Sequence, residues 1–399
     1  MNFIRKLREY PLPAVLSANF LVYCSLAFYY VFVPIYIRKF HSFSQVGFLL
    51  SIGPFIAIFA PLFWGKIADK AKSKNTVLIV LLTGCGVAFF GVSFNTLFHF
   101  PSGFPVDFSF FWLVLMLSAI MFFSSPFSSL LDVITLDYAV KTESKYGTLR
   151  LLGTIGYGIL CFVIGMVADK SEYGNFYLYL VVTLLAVISV SLMPASKGYA
   201  RGMKKVSLKP LFHDKTLLLL LLFLIAGQFI FGFYQNFYTI YMSEELKFPG
   251  WSWGLVASLQ PLGEVPFFLL FHKVYKKFSL QTVMLAGLAA GIVRYAALGM
   301  AVSIPLVILI NIVTGLLQTI LLYSVVLYLN DTIAPEMKAT GQTFIYSFGV
   351  FTPKILSGFL GGVLSQSMGI KNTLFFCSGI SVLFTILILI FPIKYKLKK

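Results

Sequence analysis

Five ionisable residues sit where long apolar runs should exclude them: Asp132, Arg150, Glu264, Arg294 and Lys354. A charge at the centre of a membrane helix costs about 2.5–3.5 kcal/mol on insertion scales, so such residues face one another or water and mark solute or proton pathways. The 1.5 Å rise of an α-helix puts Asp132 about 9 Å and Arg150 about 6 Å from the inner ends of adjacent runs, where an ion pair is geometrically easy. Glu264, Arg294 and Lys354 lie roughly 12, 18 and 21 Å deep by the same rise. Burial raises a carboxyl pKa and a nearby guanidinium favours the ionised form, so Glu264 has the chemistry of a proton carrier and Arg294 that of the group that discharges it. Asp132 and Arg150 are either a polar binding pair or a structural ion pair near the inner rim. Pro261 and Pro266 flank Glu264, Pro353 directly precedes Lys354, and Pro126 stands shortly before Asp132. Proline removes a backbone bond and bends its helix, and irregular backbone at depth is tolerated where it lines a cavity.

The elements that carry these residues follow from composition. Of 399 residues, 59% are apolar and 11% charged, with a mean hydropathy of +0.90. A soluble domain is about one quarter charged, so a water-facing surface is excluded. A spanning helix needs about 20 apolar residues, and runs of that kind fall near 13–36, 44–65, 76–97, 109–138, 146–168, 175–195, 216–243, 251–272, 282–302, 306–330, 340–364 and 373–393. Backbone in lipid must bond internally, as helices or closed barrels do. These runs are too long and too uniformly apolar for barrel strands. The fold class is therefore an all-α integral membrane protein of about twelve transmembrane helices.

The net charge of +17 is carried mainly in short segments between runs, which orients the spans rather than binding nucleic acid. Placing the Lys and Arg excess inside predicts a multi-pass plasma-membrane protein with both termini cytoplasmic. The first run is too long for the apolar core of a cleaved signal. One long polar segment, SKGYARGMKKVSLKPLFHDK at 196–215, separates residues 1–195 from 216–399. Two six-helix bundles joined by a cytoplasmic basic linker are expected. GKIADKAKSK after the second run and HKVYKKFS after the eighth form a faint internal echo. Paired six-span halves suggest a secondary transporter with its solute cavity near the midplane.

Other side chains carry less. Cys24, Cys85, Cys161 and Cys377 all lie in apolar runs and have neither metal nor disulfide spacing. His41, His99, His213 and His272 fall at loops or span ends and are expected at the solvated surface, with Asp137 and Asp331 as rim residues. Tyr157, Tyr238 and Tyr346 are candidate cavity-lining aromatics. No phosphate-binding loop, zinc spacing or nucleophile elbow occurs, so an ATP-driven pump or a membrane hydrolase lacks its chemistry, and no enzyme activity or cofactor is expected.

WGKIADKAKSK at 64–74 resembles the loop motif of the major facilitator superfamily after span two: Gly65 and Asp69 match, with Lys70 beside them, while Lys72 replaces the usual second glycine. YGTLRLLGTIGY at 146–157 resembles the opening of span five in the lactose permease-like and phenylpropionate permease-like proton symporters, through Tyr146, Gly147, Arg150 and Gly153. Asp132 stands where those families place an acid before that arginine. LGEVPFFLL and VRYAALG resemble their spans eight and nine, giving Glu264 and Arg294, and Lys354 falls where the lactose branch has a lysine in span eleven. The resemblance covers nearly the whole chain. It implies the two-bundle fold, alternating access and proton coupling, with Arg150 and Glu264 touching the solute and Arg294 helping to deprotonate the carrier. Span ten, VILINIVTGLLQTILLYS, lacks the His and Glu of the lactose branch, and FGFYQNFYTIYM in span seven lacks its acids.

The expectation is a proton-coupled symporter of a small polar or anionic organic solute of the aromatic acid, sugar or nucleoside class. Asp132, Arg150, Glu264, Tyr157 and Lys354 would bind it, Glu264 and Arg294 would couple protons, and the protein would work as a monomer in the bilayer. Three basic groups against two acids lean toward an anion. The alternatives are a proton-driven exporter of hydrophobic compounds and a polytopic membrane protein without transport.

Overall fold

The structure, a computed structural model, describes residues 12–97, 108–171, 173–196, 213–259, 274–275, 277–333, 338–393 and 395. Glu264, His99, His272 and most of the 196–215 linker lie outside them. In chain order the helices are α1 (Leu12–Val31), α2 (Val33–Arg38), α3 (Phe43–Lys70), α4 (Lys74–Leu97), α5 (Phe108–Ser124), α6 (Phe127–Thr142), α7 (Tyr146–Lys170), α8 (Gly174–Leu192), α9 (Lys215–Ile240), α10 (250–259), α11 (Leu280–Gly299), α12 (Ile304–Thr332), α13 (Lys338–Phe344) and α14 (Thr352–Ile390). Two π-turns, Tyr241–Glu245 and Ile345–Phe351, extend α9 and join α13 to α14. Among the described residues there is no strand, and nine helical segments are long and apolar enough to cross a bilayer.

Contacts group the chain into two compact units. The first comprises Met1–Val33, Phe55–Gly202 and Pro249–Ser258; the second comprises Pro34–Pro54, Met203–Phe248 and Leu259–Lys399. In the first, α1 packs on α7 and α8, and α4 on α5 and α8. Aromatic side chains fill the centre. Phe89 stacks on Tyr179 with centroids 4.1 Å apart, and Phe28 meets both edge-on, the geometry the ring quadrupoles favour. On α8, Phe176, Tyr179, Val182, Ala186 and Val190 are buried while Tyr177, Val181, Leu184 and Ile188 are exposed. Both faces are apolar, and the exposed one suits hydrocarbon. A Cβ on Gly165 would overlap the Gly250 backbone carbonyl, so these backbones meet directly, as small residues allow between membrane helices. Asp169 Oδ1 accepts from the Gly250 amide at 2.7 Å, satisfying an orphan donor at the start of α10.

In the second unit, α9 and α11 each pack on α12 and α14 around Leu220, Phe223, Met284, Val325, Leu329 and Ile345. Asp214 caps α9 by accepting from the Thr216 and Leu217 amides at 3.0 Å, and it also holds the Tyr328 hydroxyl.

Several expectations shift in detail. The run 109–138 breaks at Pro126 into α5 and α6, because proline cannot supply the missing amide. The runs 340–364 and 373–393 are joined in α14, whose backbone breaks at Gly369 (φ 80°). Positive φ comes easily only to glycine. There the amides of Ile370 and Lys371 donate to Glu245 at 2.7 and 3.1 Å. His41 is 5% exposed rather than solvated: the Arg38 guanidinium donates to its carbonyl at 3.0 Å, covers the Phe43 ring and pairs with Glu244 at 3.2 Å, closing the turn over it. Asp137 accepts from the hydroxyl of Ser196, just past the end of α8. The four cysteines are buried and free.

Phe89→Ala removes the stacked ring at the centre of the first unit and is expected to destabilise by about 3–5 kcal/mol. Leu184→Ala, on the exposed face of α8, is expected to stay within about 0.5 kcal/mol. Thermal melts of the detergent-solubilised variants compare the two.

Candidate functional site

Asp132 on α6 and Arg150 on α7 form an ion pair within the first unit, Nε to Oδ1 at 3.0 Å, with side chains 34% and 28% exposed. The pair is thus partly shielded from solvent yet reachable. The Arg150 guanidinium carbon lies 3.8 Å from the centroid of the Tyr23 ring on α1, and the Tyr23 hydroxyl donates to Asp132 Oδ1 at 3.4 Å. Three helices therefore converge on one triangle. A Cβ on Gly153 would stand 2.5 Å from Tyr23 Cδ2 and 3.0 Å from an Arg150 Nη, so glycine one turn along α7 leaves the slot in which ring and guanidinium stack. Tyr146, at the start of α7, is close enough for both charges to act on its phenol. Tyr157 lies two turns from Arg150 on the same face, about 10.5 Å along the helix. It is half-buried and its hydroxyl reaches the Cys161 thiol.

The second unit holds the other two cations. Arg294 on α11 is 2% exposed. Its Nη2 donates to Asn311 Oδ1 on α12 at 3.0 Å, and its guanidinium lies 4.4 Å from the Tyr234 centroid on α9. The Tyr234 hydroxyl donates to the same Asn311 oxygen at 2.6 Å, and the Asn311 amide donates to the Val307 carbonyl at 2.8 Å. That last bond fixes the amide so that its oxygen faces the guanidinium. Lys354, just past the second π-turn, is half-buried, donates to Gln235 Oε1 at 3.0 Å and lies 5.1 Å from the Phe231 centroid. A π-turn at such a place is frequent in functional helices. Glu264 is outside the described residues, so its geometry with Arg294 is not defined.

The loop-motif residues Gly65, Asp69 and Lys70 occupy the last turns of α3. Gly65 and Asp69 line a cavity of about 190 Å³ with Trp64, Lys74, Pro126 and Ser129. A side chain at Gly65 would meet no atom within 4 Å, so packing here does not require glycine. Of the aromatics proposed to line a cavity, Tyr238 is instead buried at 6% exposure and stacked on Tyr234, while Tyr346 is 43% exposed. Among the described residues no three His, Cys, Asp or Glu side chains are placed to hold a metal ion.

Tyr23, Tyr234, Asn311 and Gln235 contact the in-span charges, and of these only Asn311 leaves a trace in the sequence. Asn311, the one amide in the apolar opening of span ten, offered a clue through its polarity alone. A lone tyrosine among 21 offers none.

A sequence profile of the MFS_1 like family matches residues 15–376. The uncharacterized transporter YwbF of Bacillus subtilis (strain 168) is 22% identical over 329 residues, covering 82% of this chain and 79% of its own. The maltose permease of Geobacillus stearothermophilus is 21% identical over 334 residues, covering 82% and 81%. The crystal structure of the nucleoside transporter NupG superposes with a TM-score of 0.81 at 16% identity, covering 97% of this chain and 100% of that one.

Asn311→Leu leaves the buried Arg294 guanidinium without its amide acceptor. Removing one partner of a buried charge costs about 3–5 kcal/mol, so a marked fall in the melting temperature of the purified protein is expected, and Asn311→Asp is expected to be less harmful.

Proposed function

Because the chain belongs to the MFS_1-like family, and is accordingly a multi-pass membrane protein of the major facilitator fold and a secondary transporter, we propose that it imports a small polar solute of the sugar or nucleoside class together with protons. The observation that carries this reading is the Asp132–Arg150 pair. Each charge is compensated by the other at 3.0 Å while a third or so of each side chain stays accessible. Such a pair sets guanidinium donors beside carboxylate acceptors without net charge. Adjacent hydroxyls of a sugar or ribose match that edge, one accepting from nitrogen and one donating to oxygen. An organic anion would have to compete with Asp132 for Arg150. The names of the relatives agree, one a maltose permease and one a nucleoside transporter.

Arg150 and Asp132 bind the solute in this proposal, with Tyr157 on the same face of α7 and Glu264 and Lys354 as ligands from the second half. Glu264 carries the proton and Arg294 favours its release. No cofactor beyond the coupling proton is invoked. The protein works as a monomer in the plasma membrane with both termini cytoplasmic, and residues 1–195 and 216–399 act as two six-helix bundles joined by the 196–215 linker. Gly65, Asp69 and Lys70 act in the conformational cycle.

A ligand that binds only the folded state raises apparent stability. Melting the purified protein with sugars, nucleosides and aromatic acids is expected to show stabilisation by a member of the first two groups. Stabilisation by aromatic acids alone would overturn the solute class. In proteoliposomes, Glu264→Gln is expected to abolish uphill accumulation while solute exchange persists, and proton-driven accumulation retained by that variant would sink the carrier assignment.

A further inference from the structure

We propose that Tyr23 is the positioning residue of the solute site: its ring, and not the Asp132 carboxylate alone, decides which edge of the Arg150 guanidinium meets the solute. This rests on the reading of Arg150 as a solute ligand. The Nε–Oδ1 contact at 3.0 Å, with Tyr146 beside both charges, holds the guanidinium by its edge and does not by itself fix the plane of the fork. The Tyr23 ring, 3.8 Å beneath the guanidinium carbon, covers one flat face and sets that plane. Cation–π attraction of this kind strengthens as water is excluded, and Tyr23 is 7% exposed.

The ring is itself held at both ends. Its hydroxyl donates to the same Asp132 oxygen that accepts from Arg150, and Ser128 lies within hydrogen-bonding reach of it. On the other side Gly153 leaves only enough room for the stack, since a Cβ there would press on both the ring and an Arg150 nitrogen. With one face stacked and Nε occupied, the two Nη groups point in a fixed plane. That is the geometry a planar fork needs to give two parallel hydrogen bonds.

Tyr23→Phe keeps the ring and loses the hydroxyl; Tyr23→Leu keeps apolar bulk and loses the ring. Uptake kinetics in proteoliposomes, using whichever sugar or nucleoside stabilises the parent, are measured for each, alone and combined with Arg150→Lys. Tyr23→Leu is expected to raise KM about tenfold with little change in maximal rate, as loss of a partly desolvated cation–π contact implies. Tyr23→Phe is expected to stay within about threefold of the parent, because the stack survives. In the Arg150→Lys background Tyr23→Leu should add almost nothing, since the planar fork it positions is already gone. A parental KM for Tyr23→Leu, or an equal rise with and without Arg150→Lys, would overturn the proposal, because a residue that merely packs acts regardless of Arg150. Should Tyr23→Leu fail to fold, Gly153→Ala puts a Cβ 2.5 Å from Tyr23 Cδ2, so the same ring must move, and is expected to raise KM severalfold; an unchanged KM there also overturns it. Arg150→Gln separates this inference from the one beneath it. If uptake survives Arg150→Gln, the solute-site assignment itself is wrong, whereas its loss there with normal kinetics in Tyr23→Leu removes the Tyr23 role alone.

Discussion

A hydrocarbon solvent supplies no hydrogen bonds and almost no screening, so each charge placed inside a span must be met by the protein itself. The same solution recurs at all three in-span cations described. Arg150 has the Asp132 carboxylate and the Tyr23 ring; Arg294 has the Asn311 amide oxygen and the Tyr234 ring; Lys354 has the Gln235 amide oxygen and the Phe231 ring. An oxygen fixes position, and an aromatic face from a neighbouring helix adds attraction without adding a second charge. The difference lies in the oxygen. A carboxylate cancels charge, whereas an amide oxygen positions a cation and leaves its field intact. Asp132 thus compensates Arg150, while Asn311 and Gln235 orient Arg294 and Lys354.

Packing obeys the same solvent. Because lipid is as apolar as leucine, helices gain little by hiding apolar surface and associate through close fit. Gly165 against the Gly250 carbonyl and Phe89 against Tyr179 are two versions of that fit, one by removing side chains and one by stacking them. Donors at helix starts are met individually, by Asp169 at α10, Asp214 at α9 and Glu245 at the restart of α14.

Much of this is legible in the sequence. Run length and charge content are direct consequences of the bilayer, so the spans and the five misplaced ionisable residues stand out, and Pro126 marks a bend although not the full break. What was not legible is pairing at a distance. Tyr23 meets Asp132 across 109 residues and Tyr234 meets Asn311 across 77, and nothing local marks either tyrosine. Nor could periodicity say which face of α8 is buried, since Val181 and Val182 are chemically identical yet face opposite ways. His41 was misplaced because its burial depends on Arg38 folding over the turn toward Glu244, a residue of another helix. The grouping of 249–258 with the first unit and of 34–54 with the second likewise depends on contacts between segments far apart in the chain.

The π-turn at Ile345–Phe351 also bears on how this span is compared with others. A π-turn carries one residue more than the α-helical turn it replaces, and each residue advances an α-helix by about 100°. The turn absorbs the extra residue, so deleting one residue there would restore regular winding and leave Lys354 on its present face, whereas the same deletion in regular α-helix would swing it by about 100°. Gapless alignment across this stretch would therefore mismatch faces even where every residue downstream is homologous. In evolution, a one-codon insertion or deletion here is absorbed by the turn, so the lysine keeps its face while the helix stays in the membrane.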